Sequence, residues 1–165
     1  MATMKEKRAR ALVKKGKTIR QVAVLPYREL GSVLEILLLT SRQTRRFVIP
    51  KGWPMKGRTD WEAAALEARQ EAGLRGEVDR EPLGSYSYWK RLKTIFVPVT
   101  VTVYGLRVTE ELEQFREQDQ RERAWVTPQQ AQMLVDEPHL ISLIAAFKEQ
   151  WAARTQGDQK GSTSA

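Results

Sequence analysis

Apolar and polar positions alternate most regularly at 95–104, where Ile95, Val97, Val99, Val101 and Val103 interleave with Phe96, Pro98, Thr100, Thr102 and Tyr104. A period of two puts each set on one sheet face, so this run is the strongest predicted strand. Pro98 has no N–H to give to a ladder, which predicts a sheet edge or a bulge there. Two earlier apolar runs, IRQVAVL at 19–25 and VLEILLL at 33–39, predict two further strands. They are joined by PYRELGS, whose proline, glycine and serine suit a hairpin-type connection. FVIP at 47–50 predicts a short strand stopped by Pro50, EPLGSYSYWKRLK at 81–93 a strand and a basic turn, and AWV at 124–126 a last short strand.

Between these runs the period changes to that of a helix. Thr59 and Glu62 are spaced as a capping box, and Gly73 supplies the left-handed residue that closes a helix, so a helix is predicted from 60 to 72. At about 100° per residue, Trp61, Ala65, Ala68 and Ala72 form one stripe, small enough for the helix axis to sit close to a sheet. Glu67, Gln70 and Glu71 cluster away from it as i, i+3, i+4 neighbours. Thr127, Pro128 and Gln130 carry the cap, first-turn proline and capping-box glutamine of a short helix. A final helix follows Pro138, with Leu140, Ile144, Phe147 and Trp151 at helical spacing. The order of strands, helix, strands and helices predicts an α/β domain, a mixed β-sheet flanked by helices.

The 165 residues suit one domain, and a hydrophobic content of 41% suits a packed core. Residues 1–17 are read as a basic, flexible arm, 18–154 as the domain, and 155–165, small and polar, as a frayed and disordered tail. No apolar run approaches the roughly 20 residues that span a bilayer, and the N-terminus lacks the apolar core of a secretory signal; its basic, acid-poor stretch leaves a transit peptide open but is poor in serine, so a cytoplasmic location is the default expectation. With no cysteine and one histidine, His139, thiolate chemistry and histidine-rich metal sites are excluded. Acid–base or metal chemistry must rest on carboxylates, which favour hard ions. A formal charge of +8 biases the surface toward anions.

The stretch IPKGWPMKGRTDWEAAALEARQEAGL, residues 49–74, joins two chemical requirements. Gly52 and Gly57 let a phosphate approach the backbone between Lys51 and Lys56, and Glu67 and Glu71 offer two oxygens from one helix face. Taken alone, two such glutamates also read as a solvated helix face. Trp53 and Trp89 likewise read either as base-stacking groups or as packing, and His139 as a helix-start residue.

Spacing narrows the choice. Gly52, Glu67, Glu71, Gly73 and Leu74 fall in the register of G-x5-E-x7-R-E-U-x-E-E-x-G-U, where U is apolar. With RFVIPKG before it, LLLTSR further upstream, the long strand after a basic turn, and RERAWVTPQQA before a final helix, residues 18 to 150 resemble Nudix hydrolases, in particular the diphosphoinositol polyphosphate phosphohydrolase branch. The box is degenerate: Arg58 stands at its first glutamate, Leu66 at its arginine and Gln70 at its penultimate glutamate.

The resemblance implies a Nudix-like α/β/α sandwich and metal-dependent hydrolysis of phosphoanhydride bonds. It implies Mg2+ or Mn2+ held by Glu67, Glu71 and the carbonyl of Gly52, with Gln70 offering a neutral oxygen. Arg20, Ser41 and Arg42 match positions where relatives contact phosphates. Arg46, Lys51, Lys56, Arg58, Lys90, Arg91 and Lys93 are neighbours of the site by motif order, and Glu122 is the candidate carboxylate outside the box. The implied substrates are polyphosphorylated small molecules, diphosphoinositol polyphosphates or diadenosine polyphosphates. The alternative is a catalytically impaired Nudix-fold module that binds polyanions. No membrane partner is expected, and no nucleic-acid motif supports a role for the basic arm in binding nucleic acid.

Overall fold

A computed structural model describes the backbone of residues 2–161 and the side chains through residue 158. Its elements run α1 (Met4–Lys14), β1 (Ile19–Leu30), β2 (Val33–Thr40), β3 (Phe47–Val48), β4 (Lys51–Gly52), α2 (Asp60–Ala72), β5 (Leu74–Arg91), β6 (Phe96–Glu111), β7 (Arg123–Val126), α3 (Pro128–Leu134) and α4 (Pro138–Gly161).

The sheet is mixed. Its path is β3-β2-β1-β6-β5, with β4 paired to β1 and β7 to β2. The central pair, β1 with β6, is parallel from Ile19 opposite Val99 to Tyr27 opposite Arg107, and the other pairings are antiparallel. Alternation along each strand divides the apolar side chains between two layers. Val22 and Val24 of β1 and Leu37 and Leu39 of β2 pack with Ala63, Ala64, Ala68 and Ala72 of α2. Ala23, Leu25, Leu34, Ile36 and Leu38 face the other way, toward Ala131, Leu140, Ile144 and Phe147 of α3 and α4. The result is the expected helix–sheet–helix sandwich.

The caps and the long alternating strand appear as predicted. Thr59 with Glu62 and Thr127 with Gln130 form capping boxes, and Gly73 (φ 66°) closes α2. Val97, Val99, Val101 and Val103 are buried. The parallel partner of β6 begins at Val99, so Pro98 sits just beyond it on a locally open edge.

Other expectations are corrected. The hairpin expected at PYRELGS is present but tighter: β1 runs through Pro26 to Leu30, and a turn at Gly31 (φ 64°) leads to Val33. Pro26 is tolerated because one edge of β1 pairs with β4 at Val22–Ala23 and with β2 only from Tyr27, leaving it between ladders. The buried stripe of α2 is Ala64, Ala68 and Ala72 with Ala63, while Trp61 and Ala65 are only partly covered. β5 starts at Leu74, well before the predicted 81, through a polar stretch with register shifts near Gly76 and Pro82.

The N-terminal arm, expected to be flexible, contains α1. Thr3 and Glu6 cap it, Ala9 is in the core, and Glu6 is fully buried, accepting from the backbone N–H groups of Thr3 and Thr94. The expected frayed tail begins as helix instead, since α4 continues to Gly161; residues 162–165 lie outside the described residues. No helix among the described residues is long and apolar enough to cross a membrane.

Candidate phosphate and metal site

Helix α2 carries the acidic pair on the flank of its alanine stripe, so burying the alanines against the sheet turns Glu67 and Glu71 toward β4. Glu71 is 8% exposed. One of its oxygens accepts from the Lys51 backbone N–H at 3.2 Å, and the other lies 3.5 Å from Nη2 of Arg121. Burial lifts its pKa to about 7; Arg121 and Lys51 pull it down, while Glu67 and Glu117 push it further up. Glu67 is half-buried against Gly52, where any added Cβ would overlap its carboxylate. That close approach is a reason for glycine at this position. Burial and then Glu117 raise the pKa of Glu67, opposed by Arg116 and Arg121. Among the described residues Glu67 has no ion-pair partner.

A third carboxylate joins them from the loop after β6. The Glu117 backbone N–H donates to the carbonyl of Gln70 at 3.1 Å, docking the loop on the last turn of α2. The carboxylate of Glu117 pairs with Nε of Arg42 at 3.4 Å and Nε of Arg121 at 3.3 Å. Arg121, with 9% of its side chain exposed, thus links Glu71, Glu117 and, at 3.3 Å, the carbonyl of Thr40. Neither Glu117 nor Arg121 was singled out from sequence; their i, i+4 spacing was the available signal. Glu122, the residue favoured there, is exposed, and it is its backbone N–H that donates to Oγ1 of Thr40 at 2.9 Å.

The expected phosphate-binding residues divide into two groups. Arg42 and Lys51 lie against the acidic cluster, Arg42 through Glu117 and Lys51 beside Glu71. Nζ of Lys51 lies 5.2 Å from the Tyr88 ring centroid, and burial lowers its pKa against the pull of Glu71 and Glu137. Lys90 belongs here too: burial, then repulsion from Lys51 and Lys5, lowers its pKa to about 8.

Of the rest, three are engaged elsewhere and two are exposed. Arg20 is held by Asp60 at 2.7 Å and Arg46 by Asp136 at 3.3 Å. Ser41 builds its own turn, its hydroxyl 2.6 Å from that of Thr44 and accepting from the Arg46 N–H at 3.0 Å. Lys56 and Arg58 are exposed around Gly57 (φ 79°), and neither figures among the charges that act on Glu67 or Glu71. Gln70 is partly exposed next to the pair, and Gly52 is buried opposite Val22 of β1.

These donors are all oxygens, as a hard divalent ion requires. Among the described residues no three His, Cys, Asp or Glu side chains gather closely enough to enclose an ion. Glu67, partly buried and without a cationic partner, is the group whose charge still lacks compensation. The residues therefore fit an ion held by two carboxylates and neutral oxygens, rather than a closed cage of three acids.

Comparison with known proteins agrees with this architecture. The NUDIX domain family matches residues 17–147. Nudix hydrolase 12, mitochondrial, from Arabidopsis thaliana is 35% identical over 102 residues, covering 59% of this chain and 50% of that protein. Nudix hydrolase 16, mitochondrial, from the same plant is 36% identical over 107 residues, covering 62% and 59%. The chain thus spans about half of the length of the curated relatives it matches.

Among solved structures, a C. elegans Ap4A hydrolase binary complex superposes with a TM-score of 0.63 at 21% identity, covering 82% of this chain and 99% of the other. The NUDIX domain of Shewanella oneidensis NrtR, complexed with ADP ribose, gives 0.63 at 13% identity, covering 90% and 99%. At those identities the likeness establishes the fold. With most of its length matched by the family, the chain belongs to the NUDIX domain family.

Proposed function

We propose that the protein is a metal-dependent Nudix-type phosphohydrolase that cleaves phosphoanhydride bonds in polyphosphorylated small molecules, with diadenosine polyphosphates and diphosphoinositol polyphosphates as the candidate classes. The observation that carries this reading is the meeting of Glu67 and Glu71 beside Gly52, with the positive charges of Lys51 and Lys90 close by. That one structural neighbour is an Ap4A hydrolase and another is complexed with ADP ribose lends it support, since both molecules contain phosphoanhydride links.

Glu67 and Glu71, with the Gly52 carbonyl and the Gln70 side-chain oxygen, would hold a magnesium or manganese ion, which when bound polarises a phosphoanhydride and lowers the pKa of an attacking water. Lys51 and Lys90, both drawn partly out of water, and Arg42 would bring positive charge to the phosphates. Glu117 stands outside the helix but close enough to act on both glutamates, and Arg42 and Arg121 fix its orientation.

A second reading has its own observation. Arg121 already neutralises part of the acidic cluster, and Gln70 and Leu66 remove charges the box normally carries, so the fold would also serve a polyanion-binding module without turnover. A phosphate-release screen with magnesium or manganese against both substrate classes separates the two. Wild type should turn over one class, and Glu67→Gln and Glu71→Gln should each reduce it by about 100-fold or more. Tight, metal-independent binding without turnover would establish the module instead.

A further inference from the structure

One end of the molecule holds its excess charge. Residues 4–17, α1 and the residues just after it, carry seven Lys and Arg against a single acid, Glu6, which is buried. The end of the β5–β6 hairpin, residues 89–96, adds Lys90, Arg91 and Lys93 and no acid. Glu6 ties the two segments together, since it accepts from the backbone N–H of Thr94 in the hairpin turn. The remaining residues carry almost equal numbers of acids and bases, so the whole of the +8 excess sits here. None of these bases has an ion-pair partner among the described residues, whereas Arg28, Arg46 and Arg75 elsewhere are paired.

The same end exposes aromatic rings. Trp89 and Phe96 remain 69% and 64% exposed. The hairpin register sets Trp89 opposite Pro98 and Arg91 opposite Phe96, so all four share one sheet face and the two rings are diagonal neighbours. Further along that face Tyr104 and Leu106 are covered by α2, but the cover stops before Pro98. The opposite face is closed by α1, where Ala9 shares the core with Val97, and Leu12, Leu92 and Ile95 pack against them. Met4 and Val13 of α1 are exposed as well. Among the described residues, four of the eight large apolar side chains left in water therefore lie on these two segments.

Apolar rings left in water among unpaired positive charges call for a partner that is anionic and able to bury them. A second copy of the chain would bring like charges face to face, which disfavours it. Lysine outnumbers arginine seven to three among these bases. That suits a diffuse anionic surface, whereas recognition of nucleic-acid phosphates favours arginine's planar fork. Tryptophan and phenylalanine beside lysines also fit the boundary between lipid headgroups and acyl chains. We propose that this end of the molecule docks on an anionic lipid surface, with Trp89 and Phe96 seated at headgroup depth and the surrounding bases over the anionic headgroups. The contact lies on the bilayer without crossing it; no helix among the described residues is long and apolar enough to cross. The proposal replaces the expectation of no membrane partner, which rested on the lack of an apolar span and not on the two rings that the hairpin register brings together. It stands apart from the phosphoanhydride reading and needs no turnover.

Co-sedimentation of the full chain with vesicles tests it. Phosphatidylcholine vesicles containing about 30% phosphatidylserine should bind the protein, and pure phosphatidylcholine vesicles should not. Raising the salt from about 0.1 M to about 0.5 M should release it. Trp89→Ser combined with Phe96→Ser should weaken binding at least about tenfold, and Lys14→Glu combined with Lys15→Glu should do the same. All four positions are exposed, and thermal melts check that the variants fold.

No binding to the anionic vesicles would overturn the proposal, as would equal binding to the neutral ones or an affinity untouched by loss of the two rings. A single-stranded polyuridine oligomer that binds more tightly than the vesicles at the same salt, and is weakened by the same ring substitutions, would overturn it and assign the surface to nucleic acid. If the ring variant fails to fold, an unaltered vesicle affinity in the Lys14→Glu, Lys15→Glu variant overturns it alone.

Discussion

Gly52 and Glu67 are fitted to each other: the missing side chain of one is the space taken by the carboxylate of the other. Gly52→Ala would push aside the far end of a flexible side chain rather than backbone, so little stability should be lost. Turnover of a phosphoanhydride substrate should fall by about 10- to 100-fold, because the displaced carboxylate no longer meets its partner. Unchanged turnover in a normally folded variant would show that the Glu67 position is not used. Gly52, Glu67 and Glu71 were legible in the sequence because a glycine, a capped helix and a C-cap glycine set their spacing within one continuous stretch. Glu117 and Arg121 were not, because the hydrogen bond from Glu117 to the Gln70 carbonyl forms only when a distant loop has docked. The same loop turns Glu117 toward α2 and leaves Glu122 exposed, a difference that charge alone does not reveal.

Helices and strands with strong local signals were readable, and those held by tertiary contacts were not. α2 and α3 announce themselves through capping boxes, and β6 through its valines. β4 has only two residues and shows no period; α1 carries the same T-x-x-E box at Thr3 and Glu6, but its crowd of basic residues reads as a solvated arm. What fastens α1 is a buried carboxylate. Burial pushes the pKa of Glu6 up, but the N–H groups of Thr94 and Thr3, the Thr94 hydroxyl and Arg10 more than offset this and leave it below the ordinary glutamate value. A depressed carboxylate contributes stability that is complete above its unfolded pKa and lost as pH falls through the lower folded value. Hydrogen exchange of the α1 amides should therefore stay slow at neutral pH and accelerate on acidification below about pH 4.5. Glu6→Gln should show fast exchange already at neutral pH. Equal protection in the two proteins at neutral pH would mean that the carboxylate does not anchor the helix.

At the scale of the molecule, positive charge gathers from α1, β4 and β5 around one cleft, and this crowding has a measurable signature. Lys90 has a pKa of about 8, set by burial first and then by Lys51, Lys5 and Arg42, with Glu71 opposing. It is charged below that value and neutral above it, so affinity for anionic substrates should decline as pH rises through about 8. The pH profile of kcat/KM reports free-enzyme ionisations and should show this limb. Lys90→Arg, with its charge retained, should shift the limb to higher pH. A limb unmoved by the substitution would assign it to another group. The +8 net charge was plain from composition, but the approach of Lys5, Lys51 and Arg42 to Lys90 was not, since these residues are far apart in sequence.

The parallel pairing of β1 with β6 also governs the order in which the protein can assemble. The strand that lies at the centre of the finished sheet is made early, yet one of its neighbours, Val99–Arg107, is synthesised much later. Closing that long separation is entropically demanding and tends to slow folding. Destabilising substitutions such as Val101→Ala should therefore slow refolding more than they speed unfolding, as stopped-flow kinetics would show. Until the later strand arrives, a nascent chain holds the first strand and the acidic helix without the scaffold that aligns them, so the cleft becomes competent for ligand only near the end of assembly.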